Sequence, residues 1–322
     1  MAKCLICESS DNQVIRRKLR YEIERDVLKC NQCGFVFLRP LEKKLSVYYE
    51  DDKVYRQQYG PDLKNFSTGC RERFNTYYPF QNFITREIEH LLNSNTKILD
   101  VGCSTGHFLH SLKGKVRTRI GLELNQAEAE FIKNNLDFKV YSEPLDVALI
   151  EEGPFDIITS LQVLEHLEEP LEFLKQIAKN LKPNGYLYLE LPNINDVLLS
   201  CYQAEAYRNF YYREPHLYYF SPATLKKLLD QAGFSGEIKT VQRYNFLNHL
   251  HWLMTNRPQD NFVLGNNELE LVTATARQVD PEIKIELNNF IKKVDREYKE
   301  LLVKYDLGES LTFIGQKKDK NQ

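Results

Sequence analysis

A chain of 322 residues exceeds one ordinary domain of about 100–200 residues and leaves room for a second, smaller unit. Apolar residues at 42% and charged residues at 27% lie near the averages for globular proteins, which excludes a disordered or fibrous chain. Lys and Arg number 43 against 45 Asp and Glu, a net charge of −2, so the general attraction for phosphate backbones is missing and nucleic acid is not the expected partner. Met1 to Cys7 lacks an apolar signal core and no run of 18 apolar residues occurs, so neither a secretory signal nor a membrane span is expected and the chain reads as cytoplasmic.

Four of the seven cysteines form two pairs, Cys4-x-x-Cys7 and Cys30-x-x-Cys33, with 22 residues between them. Each CxxC turn presents two thiolates to one ion, and Gly34 lets the chain turn behind the second pair. The spacing predicts a Cys₄ zinc ribbon over residues 1–40. The competing pair of disulfides is opposed by a reducing compartment. Four thiolates leave no open coordination position, so the zinc is expected to be structural. Inside the loop, Arg16-Arg17-Lys18-Leu19-Arg20 offers a phosphate contact, but residues 1–50 hold ten basic against seven acidic side chains. With the charge of a thiolate site added, a solvated hairpin face is the preferred reading. Cys70, Cys103 and Cys201 are isolated and read as buried or incidental thiols.

Residues 41–95 read as an aromatic-rich helical linker or lid, with Tyr48, Tyr49, Tyr55, Tyr59 and Phe66 ahead of one helix over about 70–92. From residue 96 onward short apolar runs alternate with amphipathic segments. The predicted strands are 97–101, 119–122, 138–141, 155–160 and 186–191, an alternation that signals an α/β fold with a parallel sheet and crossover helices. Helices are predicted after Pro170, after Ser221-Pro222 and after Asp280-Pro281, the last with an apolar stripe from Ile283 to Tyr305. Insertions are placed near 194–220 and 245–308, and a last strand over 311–316.

The run Asp100-Val-Gly102-Cys103-Ser104-Thr-Gly106-His107 places a carboxylate and a glycine-bearing turn between a buried strand and a helix, the arrangement by which doubly wound folds seat nucleotide-like ligands. A dinucleotide G-x-G-x-x-G counted from Gly102 would need glycine where Ser104 and His107 stand. Glu123 follows Gly102 by 21 residues at the end of the second strand, where a carboxylate can accept both hydroxyls of a ribose.

The loop resembles motif I of class I S-adenosylmethionine-dependent methyltransferases, Asp/Glu-x-Gly-x-Gly-x-Gly, with Ser104 at the middle glycine. Phe155–Ser160, Leu161–His166 and Leu181-Lys-Pro-Asn-Gly-Tyr186 are similar to that family's motif II and following segments, and the resemblance covers residues 96–192. It implies a Rossmann-like, doubly wound, mostly parallel seven-stranded sheet within a methyltransferase domain over 96–322. The cofactor is expected against Asp100, Gly102, Cys103, Ser104, Gly106, Glu123 and Leu124, with adenine near Ser142 and Glu143 and Gln162 near the transferred methyl.

The first insertion ends Tyr211-Tyr-Arg-Glu214-Pro-His216-Leu-Tyr-Tyr-Phe220. The layout of ribbon, linker, motif I and this box resembles zinc-ribbon methyltransferases of bacterial deoxysugar and surface-polysaccharide pathways, including sugar-nucleotide C-methyltransferases, which carry a Glu-His before a Tyr-Phe-Ser run. The resemblance implies O- or C-methylation of a nucleotide sugar or polysaccharide precursor in carbohydrate biosynthesis. A sugar hydroxyl or carbon acid needs a base. His216 is the first candidate, paired with Glu214, and His166 the second; Asn245, Asn248, His249 and His251 are candidates for the opposite wall. An RNA base methyltransferase with a zinc-ribbon reader and a noncatalytic methyltransferase-like binding protein remain the alternatives.

Overall fold

The structure, a computed structural model, describes residues 2–40, 66–148, 150–276 and 278–318. Tyr48, Tyr49, Tyr55 and Tyr59 of the expected linker lie outside the described residues. The first strands are β1 (Asn12–Lys18), β2 (Glu24–Cys30) and β3 (Val36–Leu38). Two helices follow, α1 (Phe66–Tyr77) and α2 (Asn82–Ile88), where one was expected over 70–92. Pro79 stands in the short 3₁₀ turn between them, and a ring without an N–H cannot continue the helical ladder.

The main sheet takes β4 (Lys97–Val101), β5 (Thr118–Leu122), β6 (Lys139–Tyr141), β7 (Phe155–Leu161), β8 (Leu181–Pro192), β10 (Phe234–Val241) and β11 (Ser310–Lys317) in the order β10-β11-β8-β7-β4-β5-β6. Only β11 runs antiparallel to its neighbours β8 and β10. This is the expected Rossmann-like α/β sheet of seven strands. Its order reverses at β4, whose neighbours β5 and β7 lead away in opposite directions, so the loops leaving β4 and β7 diverge and open a crevice.

Alternating residues of the central strands feed two cores. Leu99, Val101, Ile158, Leu187 and Leu189 meet Leu174, Ile177 and Leu225 on one face, while Ile98, Ile157 and Tyr188 meet Phe108, Leu109 and Ile132 on the other. Both faces are therefore helix-covered, as a parallel sheet requires. Pro183-Asn-Gly185 falls inside β8 as a bulge: Leu181 pairs with Phe155, yet Tyr186 pairs with Ile157. A Cβ on Gly185 would stand 2.9 Å from the Phe155 carbonyl oxygen, which confines the bulge to glycine. The apolar stripe of the last helix, Pro281–Lys304, is mostly outward-facing: Ile283, Leu287, Phe290 and Leu301 are exposed, and Ile291 and Leu302 are its buried apolar contacts.

The N-terminal residues do not stand apart. A two-residue strand, β9 (Tyr218–Tyr219), adds to the ribbon strands in a second sheet of order β1-β2-β3-β9. Val36 pairs with Tyr219 and Phe37 with Tyr218. Phe35 lies 5.7 Å from the Tyr218 ring and 5.1 Å from that of Phe220, and Cys4, Ile6, Leu28 and Phe35 belong to the same buried cluster as Leu225 and Leu228. The ribbon core is thus continuous with the main core. Phe220→Ala, at a fully buried ring, should cost about 3–5 kcal/mol in denaturant unfolding and increase proteolytic cleavage within residues 2–40; unchanged protection of that segment would contradict the shared core.

Candidate active site

Loops leaving the ends of β4, β5, β7 and β8 line one cavity of about 1400 Å³, larger than the roughly 300–1,000 Å³ of a single ligand pocket. The first group of lining residues comes from the β4 and β5 loops. Asp100 is buried, accepts from Thr159 Oγ1 at 2.6 Å, and burial pushes its carboxyl up to about 7. Glu123 is more constrained. Its Oε2 accepts from the Ser104 N–H and its Oε1 from the Asn125 N–H, both at 2.8 Å, so the carboxylate ties the glycine turn to the helix that follows β5. Burial and the neighbouring Glu128 raise its pKa. Glu128 in turn accepts from Ser104 Oγ at 3.2 Å and pairs with Arg73 of α1.

The turn itself shows why its residues are small. Gly102 has φ +79, and a Cβ there would lie 2.4 Å from Val163 Cγ2. The crowding comes from the β7 loop closing over the turn. Ser104 takes φ +49, a left-handed conformation in which serine replaces the expected glycine at some strain, repaid by its hydrogen bonds to the two glutamates.

The second group comes from the β7 loop and the segment before β9. Glu165 and His166 end a 3₁₀ turn (Leu164–His166) ahead of the helix that starts at Pro170. His166 Nδ1 lies 3.0 Å from the Pro215 carbonyl oxygen. A carbonyl only accepts, so the proton sits on Nδ1, and Nε2 remains an acceptor 3.6 Å from Glu165 Oε1. The His166 and His216 rings meet edge to face with centroids 4.7 Å apart. Burial and then Arg213 push His166 down to about 3 and His216 well below the ordinary imidazole value. Glu165 is 1% exposed, has no hydrogen-bond partner at either oxygen, and burial pushes it up to about 8. Near pH 7 the cluster is two neutral imidazoles beside a protonated carboxyl.

Of the cofactor candidates, Asp100, Gly102, Cys103, Ser104, Glu123, Leu124 and Gln162 line the cavity. Gly106 does not: it begins the next helix at φ +74, and a Cβ there would strike Phe138 and Leu136. Cys103 lines it while its sulfur packs against Gly121, where a Cβ would come within 2.6 Å of Sγ. Pro144, Leu145 and Asp146 occupy the wall expected of Ser142 and Glu143. His166 and His216 reach the cavity, but Glu214 is not among its lining residues; the intervening Pro215 turns its carbonyl to His166, and the box has no adjacent Glu-His to present together. Of the tyrosines in the box, Tyr211 lines the cavity, whereas Tyr212, Tyr218 and Tyr219 pack in the ribbon interface.

The expected opposite wall is also different. Asn245 caps a helix through the Asn248 N–H, His249 bonds Tyr298 and Gln242, and His251 faces the Pro258 carbonyl. Arg243, Tyr244, Phe262 and Glu309 line the cavity instead. Arg243 pairs with Glu190 at the end of β8 and donates its backbone N–H to Glu309. Sequence reasoning named neither Glu165 nor Arg243 as a site residue. Glu165 carried a usable signal, an acidic residue next to His166 directly after a strand; Arg243 carried none.

The N-terminal cysteines converge as their spacing requires. Cys4 and Cys33 sulfurs are 3.5 Å apart, as are those of Cys7 and Cys30, and all four lie within 4.8 Å of one another. No disulfide joins them, and four thiols at this separation can surround one ion. Glu165, His166 and His216 also bring ligand atoms within 4.8 Å, but Arg213 acts on each of them. A guanidinium acting on the trio opposes a cation there.

A family model described as "Methyltransferase domain" matches residues 74–237. The chain belongs to the methyltransferase domain family. It is an S-adenosylmethionine-dependent methyltransferase of the class I fold. The methyltransferase is 29% identical over 168 residues to a ubiquinone biosynthesis O-methyltransferase of Thiobacillus denitrificans, covering 49% of this chain and 72% of the relative. It is 33% identical over 147 residues to a tRNA U34 carboxymethyltransferase of Pseudoalteromonas translucida, covering 42% of this chain and 44% of that protein. A solved SAM dependent methyltransferase from Archaeoglobus fulgidus superposes with a TM-score of 0.48 at 20% identity, covering 79% of this chain and 100% of the other.

The methyltransferase's first group fits the cofactor by charge. Asp100, Glu123 and Glu128 share one cavity, and each of the other two raises the Glu123 pKa, a repulsion that the sulfonium and ammonium of S-adenosylmethionine relieve. Because burial pushes the Asp100 carboxyl up to about 7, a cation that favours the carboxylate must expel protons. Calorimetry at pH 7 in buffers of different ionisation enthalpy should show proton release on cofactor binding, with affinity falling as pH drops from 8 to 6. Proton uptake would contradict the charge assignment.

Proposed function

We propose that this methyltransferase transfers the cofactor's methyl group to a sugar-like acceptor, a nucleotide sugar or polysaccharide precursor, with His216 as the base. The observation that carries the reading is the neutral His166–His216 pair with Glu165, set in the same cavity as the Asp100, Ser104 and Glu123 cluster. The cofactor supplies an electrophilic methyl whose positive charge vanishes on transfer, so the protein's tasks are positioning and removal of the acceptor proton. Asp100, Gly102, Ser104, Glu123 and Leu124 hold the cofactor in this reading, and Gln162, fixed at φ +58 by its N–H to the Glu190 carbonyl at 2.7 Å, borders the reacting centre. His216 accepts the proton. His166, its Nδ1–H spent on Pro215, orients the partner ring.

Tyr207, Phe210 and Tyr211 line the cavity beside the histidines, and aromatic faces with polar tips suit a polyhydroxylated ring. The relatives named for ubiquinone and tRNA modification share about half of this chain, and their acceptors make a phenol and a tRNA the controls. Transfer of labelled methyl to nucleotide sugars, but not to a catechol or tRNA, would support the reading; transfer to either control alone would overturn it.

His216→Asn should lower turnover about 10²-fold or more with cofactor affinity within a small factor; full turnover in that variant with loss in His166→Asn moves the base to His166. The acid limb carries a second signature. An ordinary imidazole is half protonated near 6.5, but His216 lies well below that value, so at saturating cofactor kcat/KM for the acceptor, which reports the protein before the acceptor binds, should stay level from pH 8 to 6. A half-maximal point near 6.5 would contradict a base held neutral by burial.

The same reading assigns one structural zinc to Cys4, Cys7, Cys30 and Cys33. Protein purified without chelator should contain one zinc per chain, and Cys30→Ser should lose it. Because the ribbon core runs into the main core, that variant should also weaken acceptor turnover while cofactor affinity holds.

A further inference from the structure

The ribbon's basic run reaches the cavity by a strained turn. After β1 the chain turns over Arg20–Glu22, with Tyr21 at φ 63 and Glu22 at φ 60, two consecutive left-handed residues that both carry a Cβ. The turn is anchored to the insertion: the Arg20 N–H donates to the Tyr212 carbonyl at 2.6 Å and Arg20 Nε to the Phe210 carbonyl at 2.6 Å. The guanidinium carbon lies 3.5 Å from the centre of the Phe210 ring. Arg20 and Arg213 both line the cavity that holds His216.

We propose that Arg20 and Arg213 form the binding subsite for the phosphoryl group of a small phosphorylated acceptor, so that the ribbon itself reads the substrate. The inference rests on the reading that an acceptor is methylated beside His216. Two guanidiniums face one space: burial and Arg213 lower Arg20 to about 10, and no carboxylate is among the strongest influences on it. Glu165, Glu168 and Glu169 line the same cavity, and burial pushes Glu165 toward its neutral form. His166 and His216 add no charge. The Tyr211 hydroxyl, buried in the same wall, has no hydrogen-bond partner. Paired forks and a phenol form a donor set suited to phosphoryl oxygens, and stacking on Phe210 with a carbonyl at Nε fixes one fork in place.

The test uses the zinc-loaded full chain with S-adenosylhomocysteine bound, titrated with inorganic pyrophosphate at constant ionic strength. Saturable binding is expected, with Arg20→Gln and Arg213→Gln each weakening it about tenfold or more, the loss of a charge-assisted hydrogen bond, while S-adenosylhomocysteine affinity stays within twofold. No saturable binding, or equal binding in both variants, overturns the proposal. If Arg20→Gln lowers the melting temperature, Arg20→Lys, which keeps the charge without the fork, and Arg213→Gln carry the comparison. A nucleoside diphosphate that displaces pyrophosphate and binds more tightly supports a small acceptor. Displacement by a single-stranded RNA, dependent on Arg20, overturns it in favour of a polymer. Failure of the His216 reading is separable: His216→Asn with full turnover rejects the base, whereas pyrophosphate binding lost on Arg20→Gln stands by titration alone.

Discussion

The pairing of Val36 and Phe37 with Tyr219 and Tyr218 is the smallest strand contact in the described residues and the one on which the acceptor side depends. It fixes the segment before it. The Tyr219 hydroxyl receives the Arg213 N–H at 3.0 Å and lies 3.2 Å from the Arg213 carbonyl, the His216 N–H donates to that same carbonyl at 3.1 Å, and the Leu217 N–H donates to the Glu165 carbonyl at 2.8 Å. One short ladder therefore sets where Arg213 and His216 sit relative to Glu165 and His166. Two residue pairs give little pairing energy alone, so the strand relies on the stacking of Phe35 on Tyr218 and Phe220 and on burial shared with the helix after Ser221.

The other side of the cavity is governed by repulsion. Asp100, Glu123 and Glu128 stand together, with Arg73 paired to Glu128, and each carboxyl is kept in place by its own donors: Thr159 for Asp100, the Ser104 and Asn125 amides for Glu123, Ser104 Oγ for Glu128. Such an arrangement is unfavourable without a cation. Fixed donors keep the carboxyl groups from turning away, so their places are set before a cation arrives, while burial and mutual repulsion keep part of their charge masked by protons until it does.

The sheet was legible because its strands follow the period of buried parallel β-structure and its helices are marked by Pro and Ser starts. The missed strand Phe234–Val241 alternates Phe234, Ile238 and Thr240 with exposed or half-buried residues, a weak pattern at a sheet edge. The carboxylate loop and the cysteines were legible because their function fixes local spacing. The acceptor wall was not. Arg20, Arg213, Glu165 and Arg243 come from four separate stretches, and only tertiary pairing brings them together; no periodicity encodes that. Arg20 shows the failure most clearly, since a basic run on a hairpin reads as solvated unless the turn that diverts one member inward is known. The stripe on the Pro281 helix failed in the opposite sense, because helical periodicity records an apolar face without recording whether that face is covered.

The two sides of the cavity differ in sign, and that difference bears on the base. Burial, with Arg213 adding to it, holds both imidazoles neutral, which makes His216 available at any physiological pH but weak, since a general base works best when its pKa is near the working pH. In the proposed subsite an acceptor carrying negative oxygens against the guanidiniums would offset the part of the penalty that Arg213 imposes on an imidazolium. The ring then gains basicity when the acceptor is in place and not before. At the same moment the cofactor's positive charge is about to disappear by methyl transfer, and the proton that the acceptor gives up reappears as positive charge on His216. Burial that makes each group costly in isolation thus lets the acceptor's own charge decide when the histidine can accept a proton.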